Sequence, residues 1–179
     1  MTQKKSSDAL LRRGVSRLSA IQAVYQIILF SAVPDDVISA FLNGEIGGEV
    51  VEEDLDLETE IEVPLMELDA ELFVVLVRGV CSMDERLDSI IRESLGGGWN
   101  ADRLGALEKS ILCCGLYEII EHVKFPARAC ISEYVDVAHA FFQGAEPAMV
   151  NAVLDKVARQ VRPEEMGAPR PQASKSHNG

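Results

Sequence analysis

Positive charge is missing from a long stretch near the start of this chain. Between Leu18 and Val77 there is no lysine or arginine, although the same stretch holds 14 acidic residues. The 179-residue chain has a formal net charge of -12, which excludes a protein that coats nucleic acid non-specifically, since such proteins are usually basic. The net charge does not exclude nucleic-acid binding by residues 1–17, which contain five basic residues and a single acidic one.

Metal-binding and catalytic motifs are also absent from the sequence. The four cysteines form no C-x-x-C pair, and no histidine lies at zinc spacing from them. There is no G-x-G-x-x-G, G-x-x-x-x-G-K-[ST], G-x-S-x-G or H-E-x-x-H motif. We therefore predict no catalytic residue, no metal site and no cofactor. We interpret the cysteines as small buried apolar side chains of a cytoplasmic protein.

Apolar runs of the roughly 20 residues needed to span a bilayer are missing as well. Residues 18–33 come nearest, but Gln22 and Gln26 place a polar stripe on one face of that helix. At the other end, residues 163–179 are rich in proline, serine, glycine and alanine, a composition typical of a disordered tail. Residues 1–7 are predicted to form a flexible basic arm.

Helical periodicity dominates what lies between the arm and the tail. The predicted helices cover about residues 8–30, 35–42, 64–95, 100–120, 126–143 and 147–161. Acids alternate with valine, isoleucine and leucine over residues 45–62, a period that also fits a strand. The charge density and Gly47-Gly48 favour an exposed acidic loop at about 45–63. The sequence thus predicts one all-α domain over residues 8–162, a bundle of six or seven helices.

Basic residues cluster on the first predicted helix. Arg13 and Arg17 are four positions apart and share one face, and Arg12 lies one position round the helix. Such a cluster can contact RNA phosphates. By itself, a solvated helix face explains it equally well.

Two stretches taken together resemble the NusB family of bacterial transcription antitermination factors. The first includes A-x-Q-x-x-Y at residues 20–25. The second runs through L-E-K-S-I-L at 107–112, L-Y-E at 116–118, Pro126, I-S-E at 131–133 and V-N-x-V-L-D-K at 150–156. The resemblance covers residues 12–162 and implies a NusB-like fold of two packed helical subbundles.

The resemblance also implies a binding role rather than an enzymatic one. It implies that the protein pairs with the ribosomal protein NusE, binds boxA-type leader RNA and acts on the transcription elongation complex to support ribosomal RNA transcription. It leaves a homodimer open. Matched by position, the RNA-binding residues are Arg12, Arg13, Arg17, Met149 and Asn151, and the partner-binding residues are Tyr25 and Glu108.

Three departures from the family pattern bear on RNA binding. Gly14 and Val15 stand where further arginines are common, and Met149 replaces an aromatic residue. The turn at residues 144–147 is also shorter than in many members. We therefore expect weaker RNA binding by this protein alone and greater reliance on its partner. We also expect Arg13→Ala with Arg17→Ala to weaken RNA binding and leave the fold intact.

Other interpretations stay open. Tyr25 and Met149 fit core packing, Glu108 fits a helix surface, and Asn151 fits backbone hydrogen bonding between helices. A second hypothesis is a protein-binding adaptor of the same fold with little or no RNA binding of its own. A third is the RNA-binding module of an RNA methyltransferase acting in trans.

Overall fold

The computed structural model describes residues 2–46, 49–54, 59–64 and 68–167. Over these residues the chain forms eight α-helices, one short 3-10 helix and one antiparallel β-hairpin. The elements are α1 (Thr2–Phe30), α2 (Pro34–Leu42), β1 (Glu49–Asp54), β2 (Thr59–Pro64), α3 (Ala70–Ser82), α4 (Asp84–Ser94), the 3-10 helix (Ala101–Arg103), α5 (Ala106–Ile120), α6 (Ala127–Phe141), α7 (Glu146–Val161) and α8 (Pro163–Met166). The predicted all-α class is confirmed, with the hairpin as an addition.

The helices pack in two groups that share α5. Helices α1, α2 and α3 contact one another, as do α6, α7 and α8, and α5 contacts helices of both groups. Apolar residues surround α5, and residues 110–116 are all buried, as expected of a central helix. No helix in the described ranges is both long enough and apolar enough to cross a membrane.

One helix predicted over residues 64–95 is in fact two. α3 begins at Ala70 because the side chain of Asp69 accepts a hydrogen bond from the backbone N–H of Leu72 at 3.1 Å. It ends at Met83, whose φ of -116° departs from helical geometry. The apolar pattern runs on through this break into α4, which is why periodicity did not reveal it.

Residues 49–54 and 59–64 of the acidic stretch pair as a hairpin, so the prediction of a loop at 45–63 was wrong for the residues in these strands. β1 and β2 pair from Glu49 opposite Pro64 to Asp54 opposite Thr59. The alternation of acids with β-branched residues is the period of a strand. Charge density was the weaker guide here.

Part of each segment predicted to be flexible, residues 1–7 and 163–179, is helical. α1 starts at Thr2, so residues 2–7 continue the first helix rather than form an arm. α8 lies within the predicted tail, where Met166 is buried and a Glu165 carboxylate oxygen accepts from the N–H of Ala127 at 2.8 Å. That bond satisfies a free donor at the start of α6. Residues 168–179 of the predicted tail lie outside the described residues.

Three of the four cysteines are buried, as the sequence predicts, and the fourth is only partly buried. Cys113, Cys114 and Cys130 are buried and Cys81 is half-buried. Burial raises the pKa of the Cys113 thiol to about 12 and that of Cys130 to about 12, with the charge of Glu118 contributing at Cys130.

Thiol labelling should therefore be slow in the native protein, because the thiolate is the reactive form. We expect a disulfide reagent at pH 8 to modify Cys81 first and the other three thiols only after denaturant is added. Absorbance of the released thiol measures the count. Rapid reaction of all four cysteines before unfolding would contradict the buried placement.

Candidate nucleic-acid interface

Arg17 lies in the protein interior, although the sequence places it on the basic face of α1. Its side chain is 6% exposed and that of Glu118, on α5, is 0% exposed. Arg17 Nε donates to Glu118 Oε2 at 2.9 Å and Nη2 donates to Oε1 at 2.7 Å. This two-bond geometry is the strongest form of an arginine–carboxylate pair.

Further donors complete the surroundings of the Glu118 carboxylate. The Tyr134 hydroxyl donates to Oε2 at 2.8 Å, and the Cys130 thiol lies 3.4 Å from Oε1. Burial, together with the Glu118 charge, raises the pKa of Tyr134 well above its ordinary value, so the phenol stays protonated and donates. Burial alone would lower the pKa of Arg17, but hydrogen bonds and charge from Glu118 raise it above its ordinary value. Arg17 therefore stays charged, and its hydrogen bonds with Glu118, together with that of Tyr134, join α1, α5 and α6.

Two residues predicted to contact RNA need correction. The Arg17 guanidinium pairs with Glu118, and Glu133 Oε2 also lies 3.4 Å from its Nη1. Met149 is 5% exposed on the inner side of α7. Both side chains are almost fully buried in this structure: Arg17 forms the ion pair with Glu118 and Met149 packs in the core, so neither presents a surface to RNA here.

Arg12 and Arg13 remain at the surface, beside an open groove between α1 and the start of α3. The groove is lined by Asp8, Arg12, Arg13 and residues 68–70. Arg12 is exposed and Arg13 is half-buried. The hydroxyl of Ser16 donates to the Asp69 carbonyl oxygen at 3.0 Å, which fixes the start of α3 against α1. The groove thus presents two of the three arginines predicted from the sequence.

Asn151 is exposed on α7, away from this groove's lining residues. It lines a different depression between α6 and α7, together with Arg128, Ser132 and Asp155. Arg12 and Arg13, by contrast, line the groove beside α3.

The predicted partner-binding residues are both half-buried. Tyr25 lies on α1 and Glu108 in the first turn of α5. The Glu108 carboxylate lies over Gly105, because a Cβ added at Gly105 would come within 2.4 Å of its Oε2. A carboxylate there is favoured by the helix dipole, so Glu108 also stabilises the start of α5.

The loop between α5 and α6 adds groups that the sequence interpretation overlooked. Phe125 and His122 are half-buried there, while Lys124 is exposed. The guanidinium carbon of Arg13 lies 4.5 Å from the Phe125 ring centre. The sequence signal for this loop is that a histidine, a lysine and a phenylalanine lie within four residues. The contact of the loop with α1 is visible only in the structure.

Comparison with known proteins places this chain among relatives of similar length. A transcription antitermination protein NusB of Rhodospirillum rubrum is 44% identical over 170 residues, which cover 92% of this chain and 92% of the relative. A protein of the same name from Bradyrhizobium diazoefficiens is 39% identical over 167 residues, 93% of each chain.

Solved structures share the fold. T. maritima NusB matches with a TM-score of 0.64 and 19% identity, covering 86% of this chain and 95% of that one. A crystal structure of antitermination factors NusB and NusE in complex with dsRNA matches with a TM-score of 0.62 and 22% identity, covering 84% and 97%. The model of the NusB family matches residues 14–159. This chain belongs to the NusB family.

Proposed function

We propose that this protein is a transcription antitermination factor that binds boxA-type leader RNA together with the ribosomal protein NusE, and so supports ribosomal RNA transcription. The 44% identity over 170 residues with a relative named as a transcription antitermination protein carries the proposal. A fold neighbour solved with NusE and dsRNA supports the choice of partners. The role is one of binding rather than catalysis, in the cytoplasm, within the transcription elongation complex.

The surface arginines give the proposal its physical basis. Arg12 and Arg13 line the groove beside α3. Arginines in an open groove can contact RNA phosphates directly. Asn151 offers an exposed amide on α7. Tyr25 and Glu108 are assigned to the NusE-facing surface, since both remain partly accessible.

A second candidate is a protein-binding adaptor with little RNA binding of its own. The burial of Arg17 and Met149 favours it, because two of the five proposed RNA contacts are withdrawn from the surface. Both candidates share the NusE interface, so RNA affinity separates them.

A titration of boxA-type RNA, with and without NusE, tests the proposal. We expect weak binding by this chain alone, tighter binding with NusE, and weakening as salt rises, because phosphate contacts release counterions. Mass measured in parallel shows whether a homodimer forms. No RNA binding in either condition would replace the proposal with the adaptor.

A further inference from the structure

The α5–α6 loop places the Phe125 ring beside Arg13 and the His122 ring beside that of Phe125. The ring centres of His122 and Phe125 are 5.9 Å apart, with planes inclined by 40°. The guanidinium carbon of Arg13 lies over the Phe125 ring at 4.5 Å, and that of the buried Arg17 lies over it at 5.3 Å. Phe125 therefore connects the buried network to an arginine at the surface.

The loop is held in place from the other end of the chain. The side chain of Arg162 donates from Nη1 to the Phe125 carbonyl oxygen at 2.7 Å. Arg162 also reaches the backbone oxygen of Glu118 at 3.3 Å through Nη2. A ring fixed in this way can hold a flat cation in one position before any ligand arrives.

Acidic side chains accompany the basic ones around this surface. Lys124 Nζ lies 3.4 Å from Glu71 Oε1 in an exposed pair, and such pairs are weak. Asp8 and Asp69 line the groove with Arg13, and Asp69 is engaged at the start of α3. The flat groups therefore add a second means of RNA contact beside the positive charge of Arg12 and Arg13.

Flat groups at a surface suit the unpaired bases of RNA. Bases that leave a helix stack on aromatic rings and on arginine guanidinium planes. Burial lowers the pKa of His122, so its ring is neutral near pH 7 and presents a face rather than a charge.

We propose that Arg13 and His122 form the stacking surface for one unpaired base of the bound RNA, and that Phe125 is the residue that positions Arg13. Lys124, which immediately precedes Phe125 in the loop, contacts the phosphate beside that base. This inference rests on the proposed function, since it names part of the surface through which RNA is bound.

The test uses the full chain with NusE and a boxA-type RNA carrying 2-aminopurine at one position at a time. Stacking quenches this base, so wild type should show quenching at one position. Phe125→Leu should weaken binding about fivefold or more and abolish that quenching. Phe125→Tyr keeps the ring and should bind within about twofold of wild type. Phe141→Leu, at an exposed phenylalanine of α6, is the matched control.

A positioning role makes two further demands. Arg13→Lys keeps the charge but not the plane, so it should lose affinity as Phe125→Leu does. In an Arg13→Ala background, Phe125→Leu should cause no additional loss. Independent, additive losses would show that Phe125 does not act through Arg13 and would overturn the inference.

Circular dichroism at the assay temperature verifies that each variant is folded. If Phe125→Leu is not, His122→Ala replaces it, with the same expected loss of quenching. RNA binding by wild type without quenching at any position, or an unchanged affinity in Phe125→Leu and Arg13→Lys, overturns this inference and leaves the proposed function standing. An absence of RNA binding by wild type in both conditions overturns both.

Discussion

Replacing Arg17 with alanine is expected to lower the free energy of unfolding by about 3–5 kcal/mol, the usual cost of removing one partner of a buried ion pair. Among the described residues, the fully buried Glu118 carboxylate would keep only the Tyr134 hydroxyl and the Cys130 thiol as side-chain hydrogen-bond partners. Urea denaturation followed by circular dichroism measures the change.

An exposed ion pair of the same length provides the control. Arg92 Nη1 lies 2.7 Å from Asp102 Oδ1, with side chains 54% and 66% exposed. Arg92→Ala should cost at most about 1 kcal/mol, since exposed pairs contribute little. Arg17→Met with Glu118→Gln should cost less than Arg17→Ala, because no buried charge is left without its partner. Equal losses for Arg17→Ala and Arg92→Ala would contradict the buried pair.

The burial of Arg17 determines which arginines of α1 are suitable for an RNA-binding test. The sequence led us to expect that Arg13→Ala with Arg17→Ala would leave the fold intact. The burial of Arg17 contradicts that expectation, since the double variant would lose stability as well as any RNA contact. Arg12 and Arg13, which line the groove, form the appropriate pair for an RNA-binding test.

Replacing Gly79 with alanine is expected to lower the free energy of unfolding by about 1–3 kcal/mol through overpacking. The ring of Tyr117 lies directly on Gly79, and a Cβ at that position would come within 1.9 Å of the ring carbon Cζ. Either the ring leaves its place on α3 or the two helices separate. Thermal and urea unfolding both report the loss.

A second glycine and a second substitution isolate this mechanism. A Cβ at Gly96 meets nothing within 4 Å, so Gly96→Ala should change stability by less than about 0.5 kcal/mol. In a Tyr117→Ala background, Gly79→Ala should cost little, since alanine favours the helix. A full-size penalty without the Tyr117 ring would show that the close contact is not the cause.

Much of the fold follows from hydrophobic periodicity, because each helix buries one apolar stripe. The exceptions are local. The break at Met83 lies inside a continuous apolar pattern, and Asp69 rather than Pro64 begins α3. The hairpin pattern was visible in the alternation of residues 49–54 and 59–64, but charge density outweighed it in our interpretation.

The candidate site was less accessible to sequence reasoning. Arg13 and Arg17 share a face of α1, yet one lies at the surface and the other inside, because depth along a helix depends on what packs against it. Glu118 lies between apolar residues in the last turns of α5, and Arg17 lies among buried residues of α1; such placements do signal a buried pair. Identifying Glu118 as the partner of Arg17 requires the contact between α1 and α5.

The claim that this surface binds RNA is tested by the affinity of the Arg12→Ala, Arg13→Ala double variant, titrated with boxA-type RNA in the presence of NusE. Hydrogen bonds to charged groups contribute about 1.5–3 kcal/mol each, so we expect at least about a tenfold loss of affinity. Arg92→Ala serves as the control, and circular dichroism verifies the fold. An affinity equal to that of wild type would contradict the claim that this surface binds RNA.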